Sequence, residues 1–146
     1  MAKQIPLSQK KCEPCEGMGD PYSLPEATEH LKNIPGWVLH ENGKVIYKNY
    51  VTKNFMAAVK FIGKVAAAAE AENHHPDIHL IGYRNLKIDL STHAIGGLSE
   101  NDYILAAKIN NLPECLGAYA AMAIKNLTFA DYAGQELLLI LTDYGT

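Results

Sequence analysis

The chain has 146 residues and a mass of 16.0 kDa, enough for one domain with one core and too little for two of ordinary size. An apolar share of 48% and a charged share of 20% exclude a disordered, collagen-like or disulfide-scaffold chain. Thirteen Lys and Arg against sixteen Asp and Glu leave a net charge of −3, so no positive field draws nucleic acid, and no apolar run approaches the ~20 residues that span a bilayer.

Residues 1–22 are rich in Lys, Pro, Gly and Cys and lack an apolar period, so they are expected to form an irregular arm. Met1–Pro6 has no apolar secretory core, and three cysteines are too few and odd in number for a disulfide framework. A reducing cytoplasm is the expected compartment. Within the arm, Cys12-Glu13-Pro14-Cys15 lacks the second ligand pair that a zinc knuckle needs and is read as a bland element.

Order is expected from Ser23. Ser23-Leu24-Pro25-Glu26 has the form of a capping box with Pro in the first turn and predicts a short helix to about Asn33. After Pro35-Gly36, Trp37–Leu39 and Val45–Val51 flank an Asn42-Gly43 turn and predict a strand pair. From Asn54, a candidate N-cap, Phe55, Ala58, Val59, Ile62, Val65, Ala66 and Ala69 recur at helical spacing, and the helix must stop near Asn73 because Pro76 disfavours α geometry at His75.

Ile78–Tyr83 and Leu86–Thr92 then predict a second strand pair, with His93 on the polar side or at the strand's end. Ser99, with Asp102 three residues on, opens a helix that should end before Pro113. The order of helix, strand pair, long helix, strand pair and helix predicts an α+β two-layer sandwich, an antiparallel sheet with helices on one face. Residues 23–112 are assigned to this domain, and 113–146 to a C-terminal extension expected to be helical.

Of six histidines, His74, His75, His79 and His93 fall within twenty residues. His75 and His79 have the four-residue spacing of two zinc ligands on a helix, but an extended segment after Pro76 separates them, so no metal site is assigned. The alternative is proton transfer, because imidazole gives and takes a proton near neutral pH. His74 and His75 follow the C-terminal end of the long helix, and Pro76 stiffens the backbone that carries them.

Glu70-Ala71-Glu72-Asn73-His74-His75-Pro76, Tyr83, Ser91-Thr92-His93 and Gly97-Leu98-Ser99-Glu100-Asn101-Asp102 together resemble the signature of pterin-4a-carbinolamine dehydratases. The resemblance extends from Cys12-Glu13-Pro14-Cys15 through Pro35-Gly36-Trp37 to Ile109. Asn73 stands where that family often has an acidic residue or glycine.

What the resemblance implies is a four-stranded antiparallel sheet with helices on one face, assembled as a homodimer or homotetramer. It implies dehydration of 4a-hydroxytetrahydropterin to quinonoid dihydropterin, recycling the pterin cofactor of aromatic amino acid hydroxylases. The pterin is then the substrate, with no further cofactor and no metal. Carried over by position, His74, His75 and His93 are the catalytic candidates, with His75 the principal acid/base and His93 the second. Glu70, Asn73, Pro76, Thr92, Ala94, Ile95 and Asp102 are the substrate-binding candidates, although Asp102 reads equally well as a helix-cap partner. The competing implication is a dehydratase-like module that binds another protein without turnover.

Overall fold

The computed structural model describes residues 5–15 and 19–112, so the expectation of a helical tail lies outside the described residues. The capping box forms as expected: Ser23 Oγ accepts from Glu26 N at 3.3 Å, while Glu26 Oε1 accepts from Ser23 N at 3.1 Å. Helix α1 runs from Leu24 to His30 and tightens into a 3₁₀ turn over Leu31–Asn33, shorter than the α-helix expected there. Pro35 keeps Ile34 out of α geometry, and the last turn narrows before it.

Strand β1 is only Val38–Leu39, and β2 is Ile46–Val51. Trp37 leaves the strand to bury its ring, and its Nε1 donates to Asn110 Oδ1 at 3.0 Å. Helix α2, Phe55–Glu72, is capped by Asn54, whose side chain accepts from Ala57 N at 2.8 Å. Its buried stripe is Ala58, Phe61, Val65 and Ala69. The expected stripe was rotated: Phe55 and Val59 are 50% and 40% exposed, and Phe61 takes the inner place. The helix is apolar on several sides, so spacing alone admits more than one inner face.

Strand β3, Asp77–Ile81, ends two residues before the expected Tyr83, and β4, Asn85–Leu90, ends two before the expected Thr92, each beginning one residue early. Gly82 and Tyr83 both have positive φ, which takes Tyr83 out of the strand and into the turn. Thr92 keeps one isolated bridge to Gly97, and His93–Ile95 form a 3₁₀ turn closed by Gly96 in the left-handed region. The sheet order is β1-β2-β4-β3, antiparallel throughout, as the fold class required.

Ile46, Lys48 and Tyr50 of β2 and Leu86, Ile88 and Leu90 of β4 form the inner face, in the register Ile46↔Leu90, Lys48↔Ile88 and Tyr50↔Leu86. Lys48 is buried there with its Nζ donating to Asn110 Oδ1 at 2.8 Å. Helix α3, Glu100–Asn110, is buried along most of its length. It lies against α2 and against a 3₁₀ turn of the N-terminal segment, Leu7–Gln9. Residues 5–15 are therefore docked on the domain, and order does not wait for Ser23. Among the described residues no helix is long and apolar enough to cross a membrane.

Asn73 ends α2 at φ 51° and ψ 40°, the left-handed region, and its N–H bonds back to the last turn. Asn73→Gly should leave stability nearly unchanged, whereas Asn73→Val should cost about 1–2 kcal/mol because its Cβ branches strain that backbone. Urea unfolding checks this, and equal stability of the two variants would contradict a left-handed cap.

Candidate active site

The left-handed turn at Asn73 sends two successive histidines in opposite directions. His74 is buried at 5% exposure, with its N–H on Ala69 O at 3.1 Å, whereas the His75 side chain is 55% exposed. His74 Nε2 lies 2.6 Å from Asp102 Oδ1. A carboxylate can only accept, so against an ionised Asp102 the His74 Nε2 is the donor.

Asp102 has no exposed surface. Its Oδ2 accepts from Thr92 Oγ1 at 2.8 Å and from Ser99 N at 3.0 Å, and the two hydroxyls of Thr92 and Ser99 are 2.7 Å apart. One Asp102 oxygen therefore completes the capping box of α3, as the cap reading expects, and the other holds the His74 imidazole. Thr92 shows the same alternation as His74. It is buried in the network, and the next residue, His93, is exposed together with Ala94, with Ile95 half-buried.

The structure thus joins His74, Thr92 and Asp102 directly and carries His75 and His93 on the residues that follow two of them. Glu70 lies beside His75, Oε2 to Nε2 at 3.6 Å, both exposed. Pro76 is half-buried and Asn73 exposed at the same helix end. His79 is elsewhere, on β3, paired with Asp89 at 3.1 Å. Two concave regions of about 830 and 740 Å³ lie beside the N-terminal segment and on the open sheet face, and neither is lined by His74, His75 or His93. Among the described residues no group of three His, Cys, Asp or Glu side chains is placed to hold a metal ion.

The sequence reading passed over three contributors. Ser99 reads in the sequence as a cap alone, and no spacing links Asn101 or Glu72 to the arm. Cys12 N–H donates to Glu72 Oε2 at 3.0 Å, Glu13 N–H donates to Asn101 Oδ1 at 2.9 Å, and Asn101 Nδ2 donates to Glu13 O at 2.7 Å. The arm is consequently not a bland appendage. Burial, followed by the charges of Glu72 and Asp102, pushes the Cys12 thiol up to about 12, so it stays protonated at neutral pH. For Glu72, burial alone would raise the carboxyl, but the Cys12 N–H and Lys108 outweigh it and hold the carboxyl below its ordinary 4.5.

Two outcomes follow. Asp102→Ala strands His74, Thr92 and the Ser99 N–H and should cost about 3–5 kcal/mol in urea unfolding, a loss under about 1 kcal/mol being incompatible with the network. Glu72 has a folded-state value below its unfolded one, so its contribution is complete above pH 4.5 and is lost as pH falls through the folded value. Glu72→Gln should flatten that acid limb of the stability profile, and an unchanged limb would exclude Glu72 as its source.

The sequence model of a family described as pterin 4 alpha carbinolamine dehydratase matches residues 20–112. A mitochondrial pterin-4-alpha-carbinolamine dehydratase 2 of Arabidopsis thaliana is 46% identical over 110 residues, which are 73% of this chain and 58% of that protein. The chain thus spans less than two thirds of the Arabidopsis relative. A putative pterin-4-alpha-carbinolamine dehydratase of Halorhodospira halophila is 42% identical over 106 residues, 73% of this chain and 96% of the relative. The crystal structure of a transcriptional coactivator/pterin dehydratase from Brucella melitensis superposes with a TM-score of 0.58 at 28% identity, over 62% of this chain and 96% of that one. With the match across residues 20–112 and relatives covered almost end to end, the chain belongs to the pterin-4-alpha-carbinolamine dehydratase family.

Proposed function

We propose that the chain dehydrates 4a-hydroxytetrahydropterin to quinonoid dihydropterin, recycling the pterin cofactor of aromatic amino acid hydroxylases. The observation that carries this reading is the alternation around Asp102, in which His74 and Thr92, both buried and each hydrogen-bonded to Asp102, are each followed by an exposed imidazole, His75 and His93. The C4a–O and N5–H bonds break, a C4a=N5 bond forms and water leaves. The step is redox-neutral and needs only a proton delivered to the departing oxygen and one taken from N5, for which two imidazoles suffice. Accordingly the reading assigns neither a cofactor nor a metal.

His75 is the principal acid/base, supported by its exposure and by Glu70 at 3.6 Å, and His93 is the second. His74, almost closed to solvent, acts from inside by holding the backbone that presents His75. Asn73, Pro76, Ala94 and Ile95 keep accessible surface beside the two imidazoles and are assigned to substrate contact. Thr92 and Asp102 are too deeply buried to touch a pterin, so their assignment moves from binding it to orienting His74 and the His93 turn.

A homodimer or homotetramer is part of the proposal. It is supported by Phe55, Met56 and Val59, large apolar residues left exposed along the first turns of α2. The same exposed residues favour a second reading, a dehydratase-like module that binds another protein. Cytoplasmic residence is supported by the free thiols of Cys12 and Cys15.

The test is dehydration of freshly generated 4a-hydroxytetrahydropterin, followed by its ultraviolet change against the spontaneous rate. Wild type should accelerate the reaction, and His75→Ala and His93→Ala should each lose ~10²- to 10⁴-fold. A folded wild type that leaves the spontaneous rate unchanged would overturn the reading and favour the binding module.

A further inference from the structure

Two consecutive residues of the N-terminal segment bond to the ends of two different helices. Cys12 N–H reaches Glu72, the last residue of α2, at 3.0 Å. The Glu13 peptide is paired twice by the Asn101 carboxamide, at 2.9 and 2.7 Å, in the first turn of α3. These partners are not loose surface groups: the Glu72 side chain is 6% exposed and Asn101 is 1% exposed.

The same seam is closed a second time by Lys108 of α3. Its Nζ lies 3.2 Å from Glu72 Oε1 and donates to Ser8 O at 2.9 Å, joining α3, α2 and the arm at one ammonium. Lys10 adds a more exposed pair with Glu100 at 3.2 Å. The thiols lie against the same anchor, with Cys12 Sγ 3.6 Å from Asn101 O and Asn101 Nδ2 3.8 Å from Cys15 Sγ.

His74 is two residues beyond Glu72, and Asp102 is the residue after Asn101. The 2.6 Å bond between His74 and Asp102 therefore crosses the seam that the arm spans, two residues on from Glu72 and one on from Asn101. A hydrogen bond this short tolerates little change in the separation of its carriers, and small displacements of a positioned group cost rate steeply.

We infer that residues 8–15 are a strap that sets the spacing of the α2 and α3 ends, making Glu72 and Asn101 positioning residues for the His74–Asp102 pair. The effect on turnover rests on the dehydratase reading above, but the effect on the imidazole does not. Losing a strap that only added stability would lower the unfolding midpoint and leave the folded pair unchanged.

The test uses the full chain, with folding of each variant checked by circular dichroism. Proton NMR reads the hydrogen-bonded His74 imidazole proton far downfield, and steady-state kinetics separate kcat from KM. Glu72→Ala removes the acceptor of Cys12 N–H together with the Lys108 pair, Asn101→Ala removes the arm's other anchor and leaves that pair in place, and Glu72→Gln keeps an acceptor for Cys12. Glu72→Ala and, independently, Asn101→Ala should broaden or lose the downfield proton and lower kcat about tenfold with KM little changed, while Glu72→Gln restores both. A folded Glu72→Ala with a wild-type downfield proton would overturn the strap, as would a Glu72→Gln that loses the proton as fully as alanine does. If wild type shows no dehydration, the dehydratase reading fails while the NMR comparison still decides the strap.

Discussion

A carboxylate with no exposed surface, Asp102, ties together three separate segments of the chain. Left without donors, buried Asp102 would cost several kcal/mol, so the chain must bring donors to it from wherever they lie in sequence. They come from three places: His74 just after α2, Thr92 just after β4, and Ser99 at the cap of α3. Satisfying one acid thus fixes the relative positions of the long helix, the end of the sheet and the start of the last helix.

The functional consequence follows from what comes next in the chain. His75 and His93 each succeed a residue committed to Asp102, so the inner contacts specify where the outer imidazoles stand. Rigid elements position this arrangement better than loops would, since α2 is anchored by Ala58, Phe61, Val65 and Ala69 and β4 by Leu86, Ile88 and Leu90. The N-terminal segment closes the remaining seam from outside. Exposed imidazoles on a buried polar frame are what the proposed reaction asks for, since it moves protons and expels water without redox change.

Much of this was legible from local rules. The capping boxes at Ser23 and Ser99, the Asn54 cap and the stop at Asn73 are encoded within a few residues of where they act, and all four formed. Strand alternation placed Leu86, Ile88 and Leu90 inward correctly. On α2 the spacing puts Ala58, Val65 and Ala69 inward correctly but misses Phe61 and turns exposed Phe55 and Val59 inward, because apolar residues lie on more than one face of the helix. Tyr83 was read as strand because its left-handed backbone, unusual for a residue with a Cβ, leaves no compositional mark. The His74–Asp102 bond joins residues 28 apart, and the arm contacts join residues 60 and 88 apart. No short-range pattern announces such pairings. The histidine cluster is visible in the sequence, but which imidazole is buried and which exposed depends on one left-handed residue, Asn73.

The central claim is that pterin chemistry belongs to the surface carrying His75 and His93. The most direct measurement is to titrate a stable dihydropterin into the isotopically labelled full chain and follow the imidazole resonances of all six histidines. The account predicts saturable shifts at His75 and His93, with smaller changes at His74 transmitted through the frame and none at His30, His40 or His79. Shifts confined to His40 and His79, which line the concavity on the open sheet face, would contradict it and move the site to the other side of the sheet.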